Sequence, residues 1–112
     1  MMDGWHGMLQ PALDKLSGSD DQRTATLFVQ GTLKVMLYAP QGTDPQIPHD
    51  RDEIYAIAKG SGRFVLGERS FSCEAGDVIF VPAGIEHRFI DFTDDLATWV
   101  FFYGPKGGEQ NE

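Results

Sequence analysis

The stretch GDVIFVPAGIEHRFID, residues 76–91, decides the fold. It contains a short apolar run over 78–81, a Pro-Ala-Gly corner at 82–84, and a second strand-forming run that begins near His87. Proline and glycine at such a corner end one strand and turn the chain into the next. The pattern predicts two short strands joined by a tight turn, with His87 at the start of the second strand.

The same alternation of strand and turn extends over residues 23–104. Short segments rich in Thr, Val, Leu, Phe and Tyr are separated by turns that contain Gly, Pro or Asp. This pattern is typical of an all-β sandwich or barrel. The predicted strands are 24–30, 32–39, 53–58, 63–66, 71–73, 78–81, 86–92 and 97–103.

The two ends of the chain differ from this core. Apolar residues at helical spacing, followed by Gly18, predict a short helix near residues 9–17. The polar, glycine-rich C-terminus predicts a flexible tail. We therefore expect an N-terminal arm with a short helix over 1–22, a barrel over 23–104 and a flexible tail over 105–112.

The last predicted strand is apolar on both faces. Trp99 and Phe101 share one face, and Val100 and Phe102 share the other. A half-exposed strand would alternate between apolar and polar residues. One face therefore fills the barrel, and the N-terminal helix or a second subunit covers the other. The small size and this doubly apolar strand predict a homodimer.

Composition excludes several classes of partner. The 112 residues carry 17 acidic and 9 basic side chains, a formal net charge of −8. A protein that binds duplex nucleic acid or an anionic membrane surface needs a basic face. No apolar segment approaches the length of a membrane span, and a lone cysteine, Cys73, cannot form an internal disulfide. We expect a cytoplasmic protein that binds neither nucleic acid nor membrane.

Two of the three histidines lie in informative surroundings, whereas His6 reads as a surface residue. His49 precedes Glu53 by four residues, which is ~13 Å in an extended strand, so the two side chains converge only if a turn lies between them. His87 joins them if the two segments are neighbours. Two imidazoles and one carboxylate can bind a divalent ion and leave open positions for substrate or oxygen. From spacing alone, however, such a pair is more often a surface feature.

At these residues the chain resembles a small single-domain cupin. The first cupin motif has a glycine, two histidines separated by one residue, a glutamate, and a second glycine seven residues after the glutamate. It is matched in part, because His49, Glu53 and Gly60 fit whereas the spacing from Gly42 misses by one. The second motif is matched at every spacing, and Asp91 stands in place of the usual asparagine. The matching residues of the second motif are Gly76, Pro82, Gly84 and His87. The resemblance covers about residues 42–103.

The resemblance implies a double-stranded β-helix, the cupin jelly-roll barrel, with one divalent metal ion (Fe, Mn, Ni, Co or Zn). It assigns His49, Glu53 and His87 as metal ligands. The first histidine of the family's motif would fall at position 47, where this chain has Ile47. Three outcomes follow: a site with three protein ligands, a site in which Gln46 or Asp44 is the fourth ligand, or a site without metal.

Strand parity adds three candidates for the substrate pocket. Tyr55 shares the parity of Glu53, and Phe89 and Asp91 share that of His87. Aromatic residues at such positions are more often core than substrate contacts. An inward carboxylate at Asp91 would need a partner, either His87 or a turn.

Three functions remain open from the sequence. The leading hypothesis is a metal-dependent enzyme that acts on a small oxygen-containing metabolite by dioxygenase-, isomerase- or lyase-type chemistry. The second is a non-catalytic module that binds or senses a small molecule, with reduced or absent metal binding. It is motivated by the missing first histidine and the lack of any separate acid–base or nucleophile set. The third is a barrel that serves only as a scaffold.

Overall fold

The structure is a computed structural model that describes residues 3–16 and 23–110. One helix and eight strands follow each other along the chain. The elements are α1 (Leu9–Leu16), β1 (Thr24–Gln30), β2 (Leu33–Tyr38), β3 (Asp52–Lys59), β4 (Ser61–Leu66), β5 (Arg69–Glu74), β6 (Val78–Val81), β7 (His87–Ile90) and β8 (Ala97–Tyr103). In the part of the chain described, no helix is long and apolar enough to cross a membrane.

The strands form two antiparallel sheets. The larger sheet has the order β1-β2-β8-β3-β6, and the smaller one has the order β5-β4-β7. The main core lies between them, because it contains Tyr55 and Val100 from the larger sheet together with Phe64 and Phe89 from the smaller one. This is the predicted all-β jelly roll.

The strand predictions are largely confirmed, and the bounds of β1, β6 and β8 are as expected. Strand β7 is shorter than predicted, since it ends at Ile90 and not at Phe92. Asp91 has a φ of 49°, in the left-handed region that Asp tolerates better than most residues. This turn ends the strand and reverses the parity on which the assignment of Asp91 to the interior depended.

Helix α1 covers the outer face of the larger sheet. Ala12 and Leu16 pack with Leu37 and Ala97 in a second apolar cluster, and Trp99 lies against it. The helix is thus one source of cover for the doubly apolar β8, as the sequence indicated. Residues 17–22, in the predicted linker, lie outside the described part of the chain.

Residues 105–110, in the predicted flexible tail, contact the barrel. The amide of Gly107 donates to Asp50 O at 2.6 Å, and the amide of Glu109 donates to Asp52 Oδ2 at 2.9 Å. The other oxygen of Asp52 accepts from the amide of Ala83 at 2.9 Å. The Asp52 side chain is buried, so its carboxylate needs donors, and the tail supplies one of them. Residues 111–112 lie outside the described part.

Two adjacent glycines test this attachment. Gly108 has a φ of +89°, and a Cβ there would lie 2.8 Å from Asp52 Oδ1. Gly107 has a φ of +88°, and a Cβ added to Gly107 would have no atom within 4 Å. Gly108→Ala and Gly107→Ala therefore carry the same backbone strain, but only Gly108→Ala also displaces Asp52. We expect Gly108→Ala to lower the free energy of unfolding by about 1 kcal/mol more than Gly107→Ala does, as measured by urea denaturation. Equal effects would show that the tail contact does not stabilise the barrel.

Candidate metal centre

The triad predicted from the sequence comes together between the two sheets. His49 lies in the loop before β3, Glu53 on β3, and His87 at the start of β7 in the opposite sheet. One ligand atom from each of the three lies within 4.8 Å of the others. Glu53 and His87 are almost completely buried, whereas His49 is about one third exposed, with 34 % side-chain exposure. The site thus opens on the His49 side.

The approach of His49 depends on a contact between two loops. The amide of Gly84, in the Pro-Ala-Gly corner before β7, donates to His49 O at 2.7 Å. The loop before β3 bends at residues 50 and 51, which shortens the separation that an extended chain would impose. The His49 and His87 rings consequently lie with their centroids 5.1 Å apart.

The environment of His87 determines which ring nitrogen faces the site. His87 Nδ1 lies 3.0 Å from Ile85 O, and because a carbonyl oxygen only accepts, Nδ1 carries the proton. In the neutral ring, Nε2 then presents a lone pair. It lies 2.9 Å from Glu53 Oε1, yet neither atom has a partner with hydrogen-bond geometry. Two electron-rich atoms at this distance repel each other unless they share a cation, which is either a proton or a metal ion.

The donor atoms of the site fit a metal ion. Both oxygens of Glu53 and Nε2 of His87 are buried without a hydrogen-bond partner. A carboxylate buried in this way is strongly destabilised unless a charge compensates it. Two imidazole nitrogens and one carboxylate would supply that charge balance by holding a divalent ion, with positions left open for other ligands.

The two histidines have pKa values shifted in opposite directions. Burial lowers the pKa of His49, and this effect outweighs the attraction of the Glu53 carboxylate. Burial also acts to lower the pKa of His87, but the adjacent Glu53 carboxylate and the Ile85 carbonyl outweigh it, and the pKa is raised. In the protein without metal, His87 is therefore the histidine that more readily takes up a proton beside Glu53. A metal ion that binds at Nε2 must displace that proton, so metal affinity falls as pH is lowered.

Gln46 and Asp44 form a buried network beside the triad. Gln46 Nε2 donates to Asp44 Oδ2 at 2.8 Å, and Tyr55 Oη donates to Gln46 Oε1 at 2.9 Å. These two bonds determine the orientation of the Gln46 amide, whose Oε1 lies 3.4 Å from His49 Nε2. Asp44 also accepts from Tyr38 Oη and from the amide of Phe89 at 2.8 Å. The oxygens of Asp44 are thus engaged, and of the two suggested fourth ligands only Gln46 presents an oxygen toward a histidine of the triad.

Ile47, at the position of the missing histidine, lies outside the triad. Its side chain is 72 % exposed and lies at the edge of a cavity of about 510 Å³. The neighbouring Gln46 turns inward in its place. A cavity of this volume is within the range for small-molecule sites. Its walls are mainly apolar and include Met36, Val100 and Phe102, and His49 connects it to the triad.

The three candidates for the substrate pocket lie in different environments, two in the core and one at the surface. Tyr55 and Phe89 are fully buried in the core around His87, and neither lines the cavity. Tyr55 contributes through its bond to Gln46. Asp91 is exposed and lies beyond β7, so its assignment to the pocket is wrong. The reason is the left-handed turn at Asp91, which strand parity does not reveal.

Sequence reasoning missed several residues that line the cavity. Arg23, immediately before β1, and Met36 and Tyr38 on β2 face it. The parity of β2 contained a signal, because Met36 and Tyr38 lie on the same face as Val100 in the paired strand β8. That signal becomes useful only when the pairing of β2 with β8 is known, and the two strands are some sixty residues apart in the sequence.

The fold and the buried triad together define a class: small antiparallel jelly-roll barrels with an interior set of two histidines and a glutamate. Residues 34–103 match the sequence profile of the cupin domain family. This match covers more than half of the chain, which therefore belongs to the cupin domain family.

The sequence comparisons give relatives of two kinds. An uncharacterized protein of Streptomyces coelicolor is 36 % identical over 76 residues, which cover 66 % of this chain and 72 % of that protein. An acireductone dioxygenase of Frankia alni is 45 % identical over 64 residues, 53 % of this chain and 31 % of the enzyme. The chain thus matches about a third of the length of that dioxygenase.

Solved structures share the fold. A cupin-2 domain protein from Shewanella frigidimarina superposes with a TM-score of 0.65 and 17 % identity, over 81 % of this chain and 90 % of that one. An RmlC-like cupin protein from Desulfovibrio desulfuricans superposes with a TM-score of 0.64 and 17 % identity, over 91 % of this chain and 97 % of that one. At these identities the likeness is one of fold alone.

Two aspartates provide a matched test of the network. Asp44→Asn replaces one acceptor oxygen by an amide nitrogen that faces donors, so at least one buried hydrogen bond is lost. We expect the free energy of unfolding, measured by urea denaturation in the presence of a chelator, to fall by about 1–3 kcal/mol. Asp91→Asn changes an exposed side chain at a position that also suits asparagine, and we expect a change below about 0.5 kcal/mol. A larger loss of stability in Asp91→Asn than in Asp44→Asn would contradict the buried position of Asp44 and the exposed position of Asp91.

Proposed function

We propose that this cupin binds one divalent metal ion at His49, Glu53 and His87 and acts on a small oxygen-containing metabolite. The observation that carries the proposal is the burial of the Glu53 carboxylate and His87 Nε2 side by side, 2.9 Å apart and with no further hydrogen-bond partner. Such a set is stable when a cation joins its members. A bound divalent ion would supply Lewis-acid activation of a substrate oxygen or of water.

The chain's own residues have separate roles in this proposal. His87 and Glu53 bind from the buried side, and the Ile85 carbonyl keeps the proton of His87 on Nδ1, which leaves Nε2 available. His49 binds from the side that lines the cavity. Gln46 Oε1 lies 3.4 Å from His49 Nε2 and would supply a fourth ligand, directly or through a water molecule. Asp44 and Tyr55 act as positioning residues, because they orient the Gln46 amide.

Among the open reaction classes, the dioxygenase type has the most support. The relatives that carry an enzyme name are acireductone dioxygenases from three bacteria. Two imidazoles and one carboxylate also form the donor set that suits non-haem iron with open positions for oxygen. Isomerase- and lyase-type reactions remain within the proposal, because the same ion would activate a substrate oxygen in each.

A second candidate is a binding or sensing module without turnover. It is favoured by the lining of the cavity, where no acidic residue of the described chain contributes. Tyr38 is then the titratable side chain of the described lining, besides His49 and Arg23, that could exchange a proton. The two candidates are distinguished by incubating the metal-loaded protein with a cell metabolite extract and comparing the extract with one treated with His87→Ala. Loss of a metabolite only with the wild type excludes the module.

Oligomeric state is a further part of the proposal, and we propose a homodimer. Strand β6 is an edge of the larger sheet, and its Val78 and Phe80 are 70 % and 49 % exposed on the outer face. A second copy would bury these side chains and protect the open edge. We expect light scattering at micromolar concentration to give the mass of a dimer, and Phe80→Glu to give that of a monomer. A monomeric wild type would contradict the proposal.

Metal binding is tested on protein purified without an affinity tag. We expect close to one divalent ion per chain, and after chelation a rise in Tm on addition of at least one of Fe, Mn, Ni, Co or Zn. Ligand linkage gives about 4 kcal/mol of added stability at a thousandfold excess over Kd. His49→Ala and His87→Ala should lose this gain, whatever their stability without metal.

Two glutamines provide a matched test and control for metal affinity. Gln46→Ala removes the oxygen beside His49 and should weaken metal affinity about tenfold. Gln41→Ala removes a cavity glutamine that donates to Asp94 O and should leave the affinity unchanged. A wild-type protein that is free of metal and gains no stability from any of the five ions would disprove the metal site.

A further inference from the structure

Arg23 lies immediately before β1 in a constrained conformation. Its φ is 59°, a left-handed value that is unfavourable for a residue with a long side chain. Its carbonyl accepts from the amide of Ala39 at 3.1 Å, and its Nε donates to Ala39 O at 3.0 Å. Two contacts with the same residue therefore hold both the backbone and the guanidinium of Arg23 in place.

This anchoring leaves the outer part of the guanidinium available. Nε is engaged with Ala39, but the two Nη nitrogens carry four further N–H donors. No ion pair of the described residues includes Arg23. Arg23 lines the cavity, so these donors are available to a molecule that enters it. A planar pair of Nη nitrogens suits the two oxygens of a carboxylate.

The charge around the cavity differs from that of the whole chain. The protein has 17 acidic residues against 9 basic ones, yet none of the acidic residues in the described part lines the cavity. Asp44 has its oxygens engaged by Tyr38 Oη, Gln46 Nε2 and the amide of Phe89. Arg23 is thus a fixed positive charge in a mainly apolar cavity, where its attraction for an anion is stronger than in water.

The strand register separates Arg23 from the triad. Glu53 pairs with Phe102, and Phe102 pairs with Lys34 on β2. Thr24, next to Arg23, pairs with Tyr38, which is four residues and therefore ~13 Å further along β2. A molecule that reaches both places needs a carbon skeleton of several atoms between its two polar ends. Met36 and Val100 provide an apolar wall along that path.

We propose that Arg23 binds the carboxylate of a medium-length organic acid, whose apolar body lies along Met36 and Val100 and whose other end reaches His49. The proposal rests on the proposed function in one respect, since it names the class of substrate for that same site. The Arg23 contact itself is independent of metal, and it is therefore tested first in chelated protein.

The probe is hexanoate, compared with its neutral isostere hexanamide. In isothermal titration of the chelated wild type we expect hexanoate to bind about tenfold more tightly than hexanamide, the factor that one charge-assisted hydrogen-bond pair supplies. Arg23→Gln should abolish this preference, and Arg23→Lys should retain part of it. Arg63→Gln changes an exposed arginine of β4 outside the cavity and should leave the preference unchanged.

The outcomes separate the two proposals. Equal binding of the two probes to the wild type, or no hexanoate binding at millimolar concentration, overturns the role of Arg23 without any variant. A preference that survives in Arg23→Gln also overturns it. If the preference depends on Arg23 while no metal binds to the chain, the proposed function fails and the carboxylate site stands.

Discussion

The carboxylate of Glu53 is the charge on which the rest of the structure depends. It is fully buried between two sheets, and its oxygens have no hydrogen-bond donor. Its neighbour at 2.9 Å is His87 Nε2, whose own orientation is set by the Ile85 carbonyl. A buried charge of this kind must be balanced, either by a proton held on His87 or by a metal ion. The two sheets thus meet around a site that requires a cation.

The polar groups around Glu53 are organised so that they do not compete for it. Asp44 takes the donors from Tyr38, Gln46 and the amide of Phe89, and Tyr55 donates to Gln46. Each of these groups is satisfied by another, whereas both oxygens of Glu53 and Nε2 of His87 are buried without a hydrogen-bond partner. On the outer side, Asp52 performs a purely structural role, because it joins the tail to the corner that leads into β7. Adjacent acidic residues, Asp52 and Glu53, therefore have opposite environments on opposite faces of β3.

The sequence predicted the strands because most of them are short and end at Gly, Pro or Asp. Three of the eight strands have the predicted bounds, and the triad was identified from motif spacing. Prediction was wrong where a single backbone angle decided, because the left-handed turn at Asp91 ends β7 early. The contact of the tail with Asp52, 57 residues earlier in the chain, was not predicted either. A local sequence pattern reveals neither a backbone angle at one residue nor a contact with a distant one.

The sequence by itself determined the class of fold, the two histidines and the glutamate, and the absence of a histidine at Ile47. Only the tertiary structure decided that Gln46 and not Asp44 presents an oxygen to the site, and that Arg23 lines the same cavity as His49. The physical reason is that hydrogen-bond partners and cavity walls come from strands that are distant along the chain. Arg23 and Val100 come to the same cavity only through the pairing of β1 with β2 and of β2 with β8.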